Sequence, residues 1–170
     1  MSSTKPTSSL GTFRRLLFGL PLLLDRLGAR SVERAITRAL GIDWIVLETH
    51  GRRSGRPHTV VLDVVGRDPR RDVYYVQPAY GRGADWVRNV TANPDVAARV
   101  GERRFRARLR DASGREGADV VLAFLRAHPW YGRLIVWFVG YVQRIDRPDD
   151  ALRRDLATTP VFAVEPRRQA

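Results

Sequence analysis

The alternation of residues 104–110 constrains the fold more than any other part of the sequence. Three apolar residues alternate there with four arginines, in the order Arg104, Phe105, Arg106, Ala107, Arg108, Leu109 and Arg110. Because successive side chains of a β-strand point to opposite faces, this period of two predicts a strand with one buried face and one basic face. The pleat alone accounts for the arginines, so we interpret them as a solvated face and not as a binding site.

Further short apolar runs, rich in β-branched and aromatic residues, predict strands over residues 44–49, 59–65, 73–77 and 161–164. Residues 67–70 predict a polar turn. Helical spacing predicts helices over residues 84–92 and 117–127, and a third apolar helix from Pro129 to about Val142. Five or six short strands in meander order, with helices at the front and late in the chain, predict a small antiparallel barrel and not a parallel sheet.

The N-terminal part of the chain has a different character. Residues 1–9 are rich in Ser, Thr and Pro and predict a disordered tail, whereas residues 10–41 predict a helical segment that precedes a single domain over residues 42–170. The uncharged stretches 16–24 and 134–142 are too short to span a bilayer, which takes about 20 residues as a helix. Arg14 and Arg15 beside the first stretch favour a core-docking or membrane-surface helix over a secretion signal.

The charge of the chain points to an anionic partner. The formal net charge is +12, and Lys5 is the only lysine among 30 basic residues. A phosphorylated cofactor, an acidic membrane surface or nucleic acid would each satisfy this excess. Nucleic acid ranks last, because the aromatic residues and arginines do not interleave into a recognised module. The absence of cysteine excludes thiolate catalysis and cysteine-ligated metals, and only three histidines disfavour a histidine-rich metal site.

A glycine- and arginine-rich loop follows the first predicted strand. Its residues are Gly51, Arg52, Arg53, Ser54, Gly55, Arg56 and Pro57. Glycines allow a turn to expose its backbone N–H groups, and guanidiniums supply planar donors that match phosphate or carboxylate oxygens. The loop lacks the Gly-Lys-Ser/Thr of a Walker loop and the GxGxxG of a Rossmann fingerprint. It predicts an anion-binding hairpin, with a solvated basic hairpin tip as the alternative.

Several separated motifs occur in an order that resembles the deazaflavin-dependent nitroreductase and quinone reductase family. They are Thr49 to Pro57, Tyr80-Gly81, Ala84 to Asn89, Ala92-Asn93-Pro94, Val100-Gly101, Phe105-Arg106-Ala107 and Val161 to Pro166. The resemblance covers roughly residues 42–166. It implies an α+β, mainly β, fold: a split β-barrel of the flavin-binding type with N-terminal and inserted helices. It also implies coenzyme F-420 as the cofactor.

The resemblance also implies a cofactor site. In the family the Gly-Arg-Arg/Lys-Ser/Thr-Gly loop grips the cofactor phosphate, which assigns that role to Gly51, Arg52, Arg53, Ser54 and Gly55, with Arg56 and Pro57 alongside. His58 stands where the family usually has arginine, and a neutral histidine is a weaker phosphate partner. Gln77, Pro78, Ala79, Tyr80 and Gly81 would run beside the deazaflavin ring. Trp86 and Asn89 would complete the pocket, although a core anchor is the other interpretation of Trp86.

The residues expected beside the electron acceptor match the family pattern less closely. A reduced deazaflavin donates hydride, and the acceptor then needs a proton from a nearby hydroxyl or imidazole. Family members often carry tyrosines after the proline that begins the late helix, and Tyr131 matches one of them. Tyr131 is therefore the first candidate proton donor and His128 the second, with helix capping or packing as the alternative for both. His50 has no assigned role and is interpreted as structural.

These features predict an oxidoreductase that passes hydride from reduced coenzyme F-420 to a quinone, a nitro compound or a similar electron-poor acceptor. One alternative is a non-catalytic barrel that binds a lipid or fatty acid, and another is an FMN-dependent oxidoreductase. The expected partner is a small-molecule acceptor, together with peripheral contact to an anionic membrane. The cytoplasm, including the inner face of the cell membrane, is the expected location, and the sequence leaves the oligomeric state open.

Overall fold

A computed structural model describes residues 41–78, 81–130 and 148–167 of the chain. Six antiparallel strands close into a barrel in the order β1-β2-β3-β6-β5-β4, with β4 returning to β1. The strands are β1 (Trp44–His50), β2 (Pro57–Asp68), β3 (Val73–Val76), β4 (Asp95–Val100), β5 (Arg103–Asp111) and β6 (Phe162–Pro166). The helices are α1 (Asp85–Ala92), α2 (Arg115–Ala127) and α3 (Asp149–Leu156). The predicted antiparallel barrel is therefore confirmed.

The strand order departs from the predicted meander. β3 pairs with β6, and β4 pairs with both β1 and β5. The chain leaves β3 through α1 before β4 begins, so β4 joins the opposite edge of the sheet. The predicted turn over residues 67–70 is also wrong in part, because Arg67 and Asp68 still pair with Tyr74 and Val73.

The barrel interior is filled by alternate residues of all six strands. One cluster of buried side chains includes Ile45, Leu47, Val64, Tyr74, Val76, Val96, Ala98, Ala107, Leu109, Phe162 and Val164. Trp86, Val87 and Val90 of α1 belong to the same cluster. Helix α1 thus lies over the interior of the barrel, and its buried face fixes it to the end of β1 that carries the arginine loop.

A second cluster lies outside the barrel, where α2 and α3 cover β3 and β6. It joins Tyr75 and Ala163 to apolar residues of both helices, among them Ala118, Val121, Leu122, Leu152 and Leu156. Two glycines permit this close packing. A Cβ on Gly66 would collide with Cγ1 of Val120, and one on Gly117 would lie 2.6 Å from the carbonyl oxygen of Ala112.

The basic face of β5 is largely solvated, as predicted. Arg104, Arg106 and Arg108 are exposed. Arg110 differs, because its guanidinium donates to Glu116 and Glu165 at 2.9 Å and fixes the start of α2 to the sheet. Within the described ranges no helix has the length and apolar character needed to cross a bilayer. The expected tail, the helical segment over residues 10–41 and most of the helix expected after Pro129 lie outside the described residues.

Candidate anion-binding site

The arginine loop connects β1 to β2 as a tight hairpin. The Gly51 N–H donates to the carbonyl of Arg56 at 2.8 Å, and the Gly55 N–H donates to the carbonyl of Gly51 at 2.8 Å. Gly55 has φ +65°, a left-handed conformation that side chains with a Cβ rarely adopt. The predicted hairpin loop is confirmed, and its tip extends from the barrel beside α1.

One arginine of the loop is occupied by a structural contact. The Arg52 N–H and the Arg52 Nη1 both donate to Oδ1 of Asn89 at 3.2 Å. The same Nη1 lies 3.2 Å from Oδ1 of Asp85, which begins α1. Asn89 itself is buried, with only 5% of its surface exposed. These contacts tether the loop to α1, a role for Arg52, Asn89 and Asp85 that sequence reasoning did not identify.

The other donors of the loop are free to meet a ligand. The guanidiniums of Arg53 and Arg56 are exposed and have no hydrogen bond or ion pair to the described residues. The Ser54 Oγ accepts the Arg56 N–H at 3.3 Å, which leaves the hydroxyl proton able to donate elsewhere. Two unpaired guanidiniums and a hydroxyl on one short turn fit an anion with several oxygen acceptors, such as a phosphate.

Gly51 lets two polar side chains approach the loop backbone closely. A Cβ at this position would lie 2.6 Å from the Ser54 Oγ and 2.9 Å from Nε2 of His58. Both polar atoms therefore lie on the same side of the loop, against the backbone of Gly51. The backbone of His58 is held by Thr49, whose Oγ1 donates to the His58 carbonyl at 3.2 Å. The loop thus places Ser54 and His58 together beside Gly51.

The segment after β3 is held in place at both of its described ends. Gln77 Nε2 donates to Thr159 Oγ1 at 3.1 Å, and Pro78 is fully buried. The Gly81 N–H, at φ +62°, donates to the carbonyl of Pro78 at 3.1 Å. Ala79 and Tyr80, the two residues between, lie outside the described residues. These hydrogen bonds fix the described residues on each side of that gap.

A charged cluster at the end of β5 supports the same segment. Arg82 Nη1 donates to Asp111 Oδ2 at 2.7 Å, and Arg82 Nη2 donates to Ser113 Oγ at 3.0 Å. Burial of the Asp111 carboxyl opposes its ionisation, but hydrogen bonds from Arg82 and Ser113 outweigh this and lower its pKa to about 2. Sequence reasoning did not identify this cluster, because its members are about 30 residues apart in the chain.

Two residues expected at the site have other surroundings. Trp86 packs edge-on against Phe162, with ring centroids 5.4 Å apart, and belongs to the barrel core. The ring nitrogens of His128 lie 3.1 Å and 3.0 Å from the carbonyl oxygens of Phe124 and Gly41. Both ring nitrogens thus lie against backbone carbonyl oxygens, and the imidazole caps the end of α2. Tyr131 lies outside the described residues.

The structure also contains a cavity of about 790 Å³ between α2 and α3, away from the arginine loop. Its walls include Leu122, Arg126, Asp149 and Arg153. Arg126 pairs with Asp149, and Arg153 pairs with Asp119 and Asp150. These guanidiniums are already neutralised by carboxylates, so the arginine loop is the better anion site.

Comparison with known proteins identifies the family. The family model of the F420H(2)-dependent quinone reductases matches residues 21–136, more than two thirds of the chain. No protein of curated function matches. Similar solved structures include an F420-H2 dependent reductase, with 24% identity over 72% of this chain and 93% of that one and a TM-score of 0.48. A protein of unknown function from Agrobacterium tumefaciens has 14% identity over 80% of this chain and 54% of that one, with a TM-score of 0.50.

An FMN-binding protein from Nostoc punctiforme, related to pyridoxamine 5'-phosphate oxidase, has 12% identity over 96% of this chain and 82% of that one, with a TM-score of 0.48. The extent of the family match decides the assignment, and the closed antiparallel barrel agrees with it. The chain belongs to the F420H(2)-dependent quinone reductase family, and it is accordingly a member of a family of oxidoreductases that use reduced coenzyme F-420.

Proposed function

We propose that this protein transfers hydride from reduced coenzyme F-420 to a quinone, a nitro compound or a similar electron-poor acceptor, and that its arginine loop holds the phosphate of the coenzyme. The observation that supports the loop assignment is the set of unpaired donors on Arg53, Arg56 and Ser54. Unpaired guanidiniums on one turn would repel each other, and a bound phosphate relieves that repulsion through charge-assisted hydrogen bonds.

The loop residues have two different roles. Arg53, Arg56 and Ser54 donate to the phosphate, whereas Arg52 holds the loop against α1 through Asn89 and Asp85. This division refines the resemblance, which assigned all of the loop residues to the phosphate. A preformed loop binds more tightly, because less conformational freedom is lost when the ligand arrives.

The remaining residues shape the reaction side of the site. When bound, the coenzyme supplies a hydride donor, so the protein has to orient the ring and exclude water. The segment from Gln77 to Gly81 provides one wall, held by Thr159 and by the Arg82–Asp111 pair. Trp86 packs in the barrel core against Phe162. Tyr131 is the candidate proton donor to the acceptor.

Binding of coenzyme F-420 tests the loop assignment. Each charge-assisted hydrogen bond contributes about 1.5–3 kcal/mol, so the Arg53→Ala/Arg56→Ala double variant should lose well over tenfold in affinity. Calorimetric titration with the oxidised coenzyme measures this loss. Arg104→Ala/Arg106→Ala is the matched control, because it removes two exposed arginines from β5 and changes the net charge equally.

Equal losses in the two double variants would mean that net charge alone attracts the coenzyme and would refute the loop site. Parallel titrations with FMN and a fatty acid test the two alternative functions. Tighter binding of either ligand than of coenzyme F-420 would replace the proposed cofactor. An unfolding curve of each variant establishes that both remain folded.

Turnover tests the acceptor end of the proposal. General acid catalysis contributes about 10²–10⁴-fold, so Tyr131→Phe should lower the rate of benzoquinone reduction by at least the lower end of this range. Coenzyme affinity should stay unchanged, since only the hydroxyl is removed. A rate loss below about threefold would show that Tyr131 is not the proton donor. His128→Gln, which alters a residue that caps α2, is the comparison variant.

A further inference from the structure

The imidazole of His58 lies beside Gly51, next to the hydroxyl of Ser54. It lies at the beginning of β2, directly opposite Thr49 of β1. Its side chain is exposed, and its Nε2 borders the space beside Gly51 together with the Ser54 Oγ. An anion held by Ser54, Arg53 and Arg56 would therefore lie next to this nitrogen.

The chemistry of imidazole makes this position sensitive to pH. A neutral imidazole has one N–H donor and one acceptor nitrogen, whereas the protonated ring has two donors and a positive charge. Imidazoles ordinarily exchange these forms near pH 6.5. An arginine at the same position would stay positively charged throughout this range. A histidine can make the same charged contact only when its imidazole is protonated.

The arginine loop, β1 and α1 contribute the charged groups around this position. The loop contributes Arg52, Arg53 and Arg56, and the guanidinium of Arg52 is partly neutralised by Asp85 of α1. Arg88 adds a further exposed positive charge on α1. On β1, Glu48 and His50 point to the opposite face of the strand from Thr49, the partner of His58. A phosphate bound at the loop would add a negative charge beside the ring, and this charge favours the protonated imidazole.

We propose that His58 takes up a proton when the coenzyme phosphate binds, so that the affinity of the loop rises as the pH falls through the range of imidazole titration. The inference rests on the proposed function and adds a regulation of the same site. By thermodynamic reciprocity, proton uptake that strengthens phosphate binding requires that phosphate binding favours proton uptake. The histidine thereby links retention of the coenzyme to the local pH.

Calorimetry with oxidised coenzyme F-420 at pH 5.5 and pH 8 tests the linkage. A hydrogen bond to a charged group is stronger than one to a neutral group, so wild-type affinity should be about fivefold higher at the lower pH. His58→Arg should bind tightly at both pH values, and His58→Gln should bind weakly at both. Any titration of the coenzyme itself acts equally on all three proteins, so the ratio between variants isolates His58.

Proton uptake is measured directly by NMR of the imidazole groups, with sulfate as a probe whose charge is constant over this range. The chain has only three histidines, and the resonance missing from His58→Gln identifies His58. The His58 titration midpoint should move to higher pH when sulfate is added, while those of His50 and His128 stay in place.

The possible failures are distinguishable. If affinity for the coenzyme does not depend on Arg53 and Arg56 at either pH, the proposed phosphate site is wrong. If affinity depends on these arginines but wild type and His58→Gln show the same pH dependence, the phosphate site stands and the histidine linkage is refuted. A sulfate titration that moves no histidine, with coenzyme affinity equal in His58→Arg and His58→Gln, also refutes the linkage.

Discussion

Gly66 in β2 and Gly51 in the loop that leads into β2 have opposite kinds of surroundings. At Gly66 an added methyl group would meet Val120 of α2, within the packed layer outside the barrel. At Gly51 it would meet the Ser54 hydroxyl and the His58 ring at an exposed hairpin tip. The first glycine lets two apolar surfaces approach, whereas the second lets two polar side chains approach the backbone of an exposed loop. The same residue type therefore permits apolar packing in one region and a polar cluster in the other.

The largest expected effect is at Gly66. Gly66→Ala should lower the free energy of unfolding by about 1–3 kcal/mol, because the layer between β2 and α2 cannot accept another methyl group without moving Val120. Urea unfolding measures this loss. In a Val120→Ala background the same substitution should cost much less, since the colliding methyl group is absent. Equal costs in the two backgrounds would contradict the collision.

A smaller loss of stability is expected when the tether between the arginine loop and α1 is removed. Asn89→Ala leaves the Arg52 N–H without its acceptor and should cost about 1–2 kcal/mol of unfolding free energy. Coenzyme affinity should fall as well, because the loop is no longer held against α1. Asn93→Ala, at the exposed end of the same helix, is the control. An affinity loss equal to that of Asn93→Ala would show that the tether does not prepare the loop.

Gly51→Ala should lower coenzyme affinity and leave stability almost unchanged, whereas Gly66→Ala should lower stability. The colliding atoms belong to exposed side chains that can turn away, so the unfolding free energy should change by less than about 0.5 kcal/mol. Affinity for coenzyme F-420 should nevertheless fall severalfold, since Ser54 and His58 are displaced from the space beside residue 51. Unfolding curves and calorimetry measured on the same sample separate the two effects. A stability loss comparable to that of Gly66→Ala would remove the distinction between the two regions.

The smallest effect concerns acid stability at the wall of the site. The pKa of Asp111 is lowered from 3.8 to about 2, so its contribution to stability is complete above pH 4 and is lost as the pH falls towards 2. The carboxylate is 47% exposed, so this contribution should stay below about 1 kcal/mol. Asp111→Asn should flatten the loss of stability between pH 4 and pH 2. A wild-type slope in this variant would contradict the assignment.

The sequence predicted those parts of the molecule that depend on local pattern. The alternation of residues 104–110 indicated β5, and the glycines and arginines of residues 51–57 indicated the hairpin loop. β4 was not predicted, because Asp95–Val100 mixes alanine, aspartate and arginine over only six residues and shows no clear strand pattern. Helix α3 was not predicted either, because Asp149–Leu156 is mostly charged and only Leu152 and Leu156 form its buried face.

The different roles of the loop arginines could not be predicted from local sequence pattern. Arg52, Arg53 and Arg56 are alike as sequence, and only their spatial neighbours distinguish them. Arg52 and Asn89 are 37 positions apart, so their contact depends on where α1 crosses the barrel. His128 shows the same limit, because its capping contact to Gly41 spans 87 positions.

Helix α1 contributes to the barrel core through Val87 and Val90 and holds the arginine loop through Asn89. Any local opening of this helix must release Asn89, and the loop then loses its fixed position. A ligand bound to the loop consequently opposes that opening, since it binds the tethered form more tightly. Amide hydrogens of α1 should therefore exchange more slowly when the coenzyme is present. Hydrogen exchange in this two-turn helix would thus indicate whether the arginine loop, a different segment of the chain, holds a ligand.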